Sequence, residues 1–151
     1  MWRPMTAEDI PQVYHISLRI HSLYEDPEIF QERRTLSRGS YVLVQNEKVV
    51  GYLISHPYRR DTYPPLNTLI HEIPKHPDTW YIHDLAILHA FRGQGMVRPI
   101  LDEVKALALI HGIQELSLVS IYGKEKFWTK MGFTLSTGAS YGTLMKQELS
   151  V

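Results

Sequence analysis

The chain has 151 residues, 16 Lys and Arg against 16 Asp and Glu, 44% apolar residues and no cysteine. That length suits a single domain over residues 1–151, with a core large enough to need neither a disulfide nor a metal staple. Zero net charge argues against a nucleic-acid partner, whose phosphates call for clustered Lys and Arg, and the missing thiols exclude disulfides, thiolate zinc sites and a cysteine nucleophile.

The start Met1-Trp2-Arg3-Pro4 lacks the apolar core of a secretory leader, and the apolar runs fall short of the ~20 residues that span a bilayer. A cytoplasmic protein without membrane contact is expected. Thr6-Ala7-Glu8-Asp9 reads as a hydroxyl N-cap followed by first-turn acids, and it predicts a helix over 7–20. Ile10, Val13, Tyr14, Ser17 and Leu18 fall on its inward face. Pro27 opens a second helix near 27–36. The β-rich runs 41–44 and 49–54, separated by Gln45-Asn46-Glu47-Lys48, predict an antiparallel hairpin.

Pro57, Pro64, Pro65, Pro74 and Pro77 then mark an irregular excursion between His56 and Thr79, of a length usually reserved for function. After it the pattern predicts a strand over 80–88, a glycine-bearing turn, a helix over 95–111 stopped by Gly112, a strand over 115–121 and a short helix over 125–131. Strands near Thr134 and over 141–149 close the chain. The class is α/β with a mixed sheet.

Arg92-Gly93-Gln94-Gly95-Met96-Val97-Arg98 sits between strand and helix. Glycines let backbone approach a ligand, and the free N–H groups of a helix start suit a pyrophosphate, although such turns are also common in purely structural settings. This segment resembles the Arg/Gln-x-x-Gly-x-Gly/Ala loop of the GNAT superfamily of acetyl-CoA-dependent N-acetyltransferases, and Phe127-Trp128-Thr129-Lys130-Met131-Gly132-Phe133 resembles that family's Phe-Tyr-x-Lys-x-Gly-Phe signature. Trp2-Arg3-Pro4 through Asp9-Ile10, and Val50-Gly51-Tyr52, fit as well; the excursion is unmatched. The resemblance implies a mostly antiparallel central sheet of about six to seven strands flanked by about four helices. It also implies an acyltransferase with acetyl-CoA as cosubstrate and no metal.

Ile82-His83-Asp84-Leu85-Ala86-Ile87 with Ala90-Phe91-Arg92 is similar to the aralkylamine (serotonin) N-acetyltransferase branch. That branch has two histidines at alternate positions of this strand; His83 matches the second, and Tyr81 replaces the first. An alkylammonium with a pKa near 10.4 benefits from a base. His83, alternating with Tyr81, Leu85 and Ile87, is the candidate, against the alternative of a packing histidine. Asp84 falls on the opposite face and reads as structural. By resemblance, the backbone of Leu85, Ala86 and Ile87 holds the acetyl carbonyl and pantetheine arm, Arg92, Gly93, Gln94, Gly95, Met96, Val97 and Arg98 bind the pyrophosphate, and Phe127 completes the site.

Two departures stand out. Val97 replaces the family's Gly or Ala and would crowd a phosphate if it faced one. Trp128 replaces the tyrosine that often protonates the departing thiolate, and an indole N–H is no acid; Tyr122 and Tyr141 are the substitutes. Aromatics and acids suit an amine cation, so Tyr24, Glu25 and Tyr81 are the candidate substrate contacts. Trp2, Trp80 and Phe91 read as packing residues. The expected acceptor is a small-molecule amine of arylalkylamine or polyamine type, attacked in a ternary complex. A protein lysine or N-terminus is the alternative, and a CoA-binding module without catalysis is another. A homodimer is compatible with the sequence.

Overall fold

The computed structural model describes residues 1–121 and 123–150. A seven-stranded sheet runs in the order β1-β2-β3-β4-β5-β7-β6. Its strands are β1 (Trp2–Pro4), β2 (Ser40–Gln45), β3 (Lys48–Tyr58), β4 (Thr79–Ile87), β5 (Glu115–Ser120), β6 (Thr134–Ala139) and β7 (Gly142–Glu148). Helices α1 (Ile10–Ile20), α2 (Pro27–Leu36), α3 (Val97–Ile110) and α4 (Glu125–Lys130) complete a mixed α/β fold. Every neighbouring strand pair is antiparallel except β4–β5. Among the described residues no helix is long and apolar enough to cross a membrane.

The chain enters α1 through a 3₁₀ turn at Ala7–Asp9 rather than directly. The Asp9 carboxylate accepts the Thr6 N–H at 2.8 Å and two Arg3 N–H bonds at 2.7 and 2.8 Å, so the acid, not the hydroxyl, organises this start. The tighter winding of a 3₁₀ turn shifts the inward stripe. Val13, Ile16 and Ser17 are buried, whereas Leu18, predicted to face inward, is half exposed. The β2–β3 hairpin turns on Asn46 and Glu47, both at positive φ (51° and 63°), the geometry whose twist matches the flanking strands. Strand β3 runs to Tyr58, further than its sequence pattern suggests. His56 therefore belongs to the sheet, fully buried.

One core lies between the sheet and α3–α4, where Trp80, Ile82, Leu101, Val104, Leu116, Leu118 and Phe133 pack together. A second lies under α1 and α2, built on Val13, Phe30, Val42, Tyr52, Ile54 and Ala86. Strand β5 stays with β4 only from Trp80↔Leu116 to Ile82↔Leu118, while its pairing with β7 continues to Ser120. Beyond Ile82 the two parallel strands splay, and among the described residues β4 continues to Ile87 paired with β3 only. Burial makes the core the main source of stability. Leu116→Ala should cost about 2–5 kcal/mol in urea denaturation through lost burial and a residual cavity. Ile110→Ala, at a position 79% exposed, should stay within about 0.5 kcal/mol; equal losses would contradict this placement of the core.

Candidate active site

The splay opens a cavity of about 780 Å³. Leu85, Ala86 and Ile87 line one wall, Arg92 through Arg98 close one end, and Phe127, Trp128 and Met131 of α4 stand opposite with Leu118 and Val119 of β5. All eleven residues expected to bind the cofactor thus border a single space, and His83 joins them at the far end.

The glycine loop is held from outside. Arg92 donates from Nε to the Ile87 carbonyl at 2.8 Å, so this guanidinium secures the turn. Trp2 donates its indole N–H to the Met96 carbonyl at 2.8 Å, a function that its reading as a packing residue missed. Gly93 and Gly95 sit at φ 75° and 70°, where L side chains are strained, and a Cβ there would meet nothing within 4 Å. It is the backbone conformation, not lack of room, that asks for glycine. These two residues delay the helix to Val97, later than its pattern predicts, and Met96 makes no side-chain cap. The N–H groups of Val97 and Arg98, at the start of α3 on the cavity border, are thus left without a capping side chain. Val97 packs against the apolar clusters on either side of it, which limits its crowding of the loop.

The register of β4 corrects the expected strand faces. Ile54 pairs with Asp84 and Ser55 with Ile82, so His83 is an extra residue on β4. Such a bulge resets the alternation of side chains. Tyr81, His83 and Asp84 therefore all face α1–α2, whereas Leu85 packs on the α3–α4 side. Asp84 is not on the far face from His83, and Leu85 and Ile87 are not on its own.

Both polar residues of the bulge are paired, each with the segment that ends α1. His83 Nε2–H donates to Glu25 Oε1 at 2.7 Å, and the other Glu25 oxygen accepts the Asn67 N–H at 2.9 Å. His21 Nε2–H donates to Asp84 Oδ1 at 2.7 Å, and Asp84 Oδ2 accepts the Tyr52 hydroxyl at 2.6 Å. Burial opposes charge on Glu25, Asp84, His21 and Tyr52. The Glu25 carboxyl nonetheless lies below its usual range because His83 and the Asn67 N–H outweigh that penalty. Asp84 is lowered likewise, by His21 and Tyr52. Burial alone would lower His21, but Asp84 prevails and the imidazole is raised.

His56 sits behind this pair with its ring centroid 5.7 Å from Tyr81 and 6.4 Å from His83. Burial pushes it down to about 3, so it stays neutral. Its Nδ1–H donates to the Pro57 carbonyl at 2.9 Å. His56 Nε2 and His83 Nδ1 have no hydrogen-bond partner among the described residues.

The excursion, residues 59–78, covers this side. Tyr63 stacks edge-on with Tyr141 and accepts the Ser140 N–H at 2.9 Å. Asn67 bonds Glu25 and, through Oδ1, the Asp26 N–H at 2.8 Å. The Glu32 carboxylate accepts the N–H groups of Ile70 and His71 at 2.9 and 2.8 Å and pairs with buried Arg33, which also bonds the Thr68 carbonyl. The segment is thus a strap from the β6–β7 turn to α1–α2. Tyr81 lies beneath it, 1% exposed.

Other expected residues fall elsewhere. Tyr141 donates to the Pro64 carbonyl at 2.8 Å, lies outside the cavity lining, and is pushed by burial up to about 12. Tyr24 is half exposed and shares a 3.0 Å hydroxyl contact with Tyr14. Tyr122 lies outside the described residues. Trp128 is buried against Phe127 and Phe133, with ring centroids 5.0 and 5.4 Å away.

Residues 6–133 match the family described as "Acetyltransferase (GNAT) family". No curated protein matches the sequence. Solved structures with a similar fold include the loading GNATL domain of CurA from Lyngbya majuscula, at 15% identity, covering 98% of this chain and 96% of that one with a TM-score of 0.82. The ribosomal-protein-S18-alanine N-acetyltransferase from Escherichia coli is 17% identical over 100% and 94% of the chains, TM-score 0.71. The paia N-acetyltransferase from Thermoplasma acidophilum, in complex with coenzyme A, is 13% identical over 98% and 98%, TM-score 0.72.

The contrast between the imidazoles is measurable. In NMR titration His21 should ionise above the ordinary histidine value of about 6.5, and His56 should show no transition between about pH 5 and 8. Asp84→Asn should lower the His21 midpoint. The sign for stability follows: the raised His21 contributes below its unfolded value and loses that contribution as pH rises through its folded one, while Asp84 contributes until pH falls through its lowered value. A His21 midpoint unmoved by Asp84→Asn would contradict the pairing.

Proposed function

This chain belongs to the GNAT acetyltransferase family, and from that premise we propose that it moves the acetyl group of acetyl-CoA directly onto the nitrogen of a small primary amine. The observation that carries the reading is the continuous cavity from the glycine loop to the bulge, with His83 at its inner end. Coenzyme A in the Thermoplasma acidophilum relative supports the same cosubstrate here. The α3 N-terminus and the loop N–H groups take the pyrophosphate, with Arg98 at the cavity edge as its charge partner. Backbone groups of β4 past Ile82, without a β5 partner, bond the pantetheine arm and the acetyl carbonyl, where donors held in place stabilise the developing oxyanion.

His83 is the base. Its Nε2–H is committed to the Glu25 carboxylate, which leaves Nδ1 as the nitrogen that takes the amine proton, directly or through one water. Glu25 acts through His83 by fixing its tautomer, so it is assigned here as a positioning residue rather than a substrate contact. Without a thiol in the chain, a cysteine thioester intermediate has no place, and the amine attacks acetyl-CoA itself.

The small-amine assignment rests on the strap. Tyr81, His83, Glu25 and His56 are walled in from the α1–α2 side by residues 63–71, so an acceptor reaches the bulge through the cavity rather than across an open groove. The likeness to the aralkylamine branch gains support from His56, which sets a second imidazole beside His83 from the neighbouring strand. Acetylation of a protein N-terminus is the second reading, favoured by the fold likeness to the ribosomal S18-alanine enzyme.

Release of free CoA from acetyl-CoA should exceed hydrolysis with at least one member of a panel of arylalkylamines and polyamines, and should not with peptides bearing free N-termini. Turnover with peptides alone would reverse the acceptor assignment; no turnover with any amine would sink the reading. His83→Gln should lower kcat by about 10²–10⁴-fold, with CoA affinity nearly intact.

A further inference from the structure

Trp128 leaves α4 without an acid to meet the sulfur that departs, and Tyr141 is bonded to the strap outside the cavity. The opposite wall supplies a different device. His21 is the C-cap of α1, its N–H bonded to the Ser17 carbonyl at 2.9 Å. It lines the cavity beside Ile82, His83, Asp84 and Leu85, the point at which β4 leaves β5. Its ring is fixed by Asp84, which the Tyr52 hydroxyl fixes in turn.

We propose that His21, clamped as an imidazolium between Asp84 and the C-terminal end of α1, is the cation that faces the CoA sulfur and stabilises it as a thiolate when the thioester breaks. The inference rests on the acetyl-transfer reading and adds to it the group that receives the leaving charge.

The electrostatics of the surroundings favour the charged ring. Acting on it are Asp84 from β4, Glu25 from the segment before α2 and Arg92 from the loop before α3, while the Tyr52 hydroxyl of β3 is bonded to the same Asp84. Two carboxylates outweigh one guanidinium, and the last carbonyls of α1 add partial negative charge. Lys124 also borders the cavity, but it is exposed and its ammonium is solvated. A buried cation acts on a neighbouring thiolate in a lower dielectric than a solvated one does.

The step balances without an added donor. The amine nitrogen bonds to the acetyl carbon, the C–S bond breaks with its electron pair on sulfur, and the amine proton passes to His83. His21 keeps its own proton. CoA leaves as the thiolate and is protonated in water. Loss of rate at alkaline pH then follows deprotonation of His21.

The test reads the thiol of bound CoA, with no acceptor present, through the ultraviolet absorbance of the thiolate. In the unaltered chain its pKa should fall at least one unit below the free-thiol value of about 8.5, a roughly tenfold gain in the ratio of thiolate to thiol at neutral pH. His21→Gln should return it to the free value, and Lys124→Gln should leave it lowered. A second measurement needs no variant: calorimetry in buffers of different ionisation enthalpy should show CoA releasing more protons on binding than desulfo-CoA at about pH 7.5. The proposal is overturned if CoA binds both chains equally and its thiol ionises at the same pH in each, if Lys124→Gln alone abolishes the shift, or if the two ligands release equal protons. Failure of CoA to bind the unaltered chain would overturn the acetyl-transfer reading along with it. Acetyl transfer with an unperturbed thiol would remove only the role of His21.

Discussion

Between Ile82 and Asp84 strand β4 carries one residue more than β3 can pair, and it does so where β5 turns away from it. The extra residue puts His83 and Asp84 on one face in succession, which a regular strand forbids because neighbouring side chains alternate. The splay frees the other edge of the same stretch. A single irregularity thereby brings together an unpaired backbone edge and two titratable side chains. Without it one of the two residues would lie under α3 and α4, and no arrangement of α1–α2 could reach both.

The segment ending α1 answers the bulge with the complementary residues in swapped order: His21 meets Asp84, and Glu25 meets His83. Two buried histidine–carboxylate pairs are not an economical way to dock helices on a sheet, since desolvation offsets much of the attraction and apolar substitutes often hold as well. Their value is placement of charge. One pair fixes the orientation of an imidazole whose Nδ1 has no hydrogen-bond partner among the described residues, and the other favours the charged form of its imidazole. The strap belongs to the same arrangement, because the Asn67 N–H bonds the Glu25 oxygen that His83 does not use. Its position over the bulge thus bears on the base as well as on access.

Most of the fold is legible in the residues. The helical stripes of 97–110, the hairpin around Asn46, the glycine loop and the short α4 all read from periodicity and turn chemistry, and the eleven residues that the family resemblance assigns to the cofactor border one cavity. What escapes is whatever depends on register or on contacts between distant segments. Periodicity gives His83 and Leu85 a common face, and only pairing with β3 reveals the extra residue. His21 and Asp84 are 63 positions apart, and nothing local to either marks the other. His56 hides in a strand that runs on through Pro57 to Tyr58, past the end of its β-rich sequence pattern. The strap's irregular sequence announces an excursion, but its anchoring by Glu25, Glu32 and Tyr141 is tertiary.

The central claim is that the unpaired edge of β4 past the bulge is where acetyl-CoA lies, with the acyl end at His83. Amide hydrogen exchange resolved by NMR, with and without CoA, tests it most directly. The account predicts that β5-facing amides between His83 and Ile87, together with those of Gly93 to Arg98, slow by about tenfold or more on binding, while Trp80 to Ile82, already paired with β5, barely change. Protection confined to other surfaces, with the β4 edge and the glycine loop exchanging as fast as before, would contradict it.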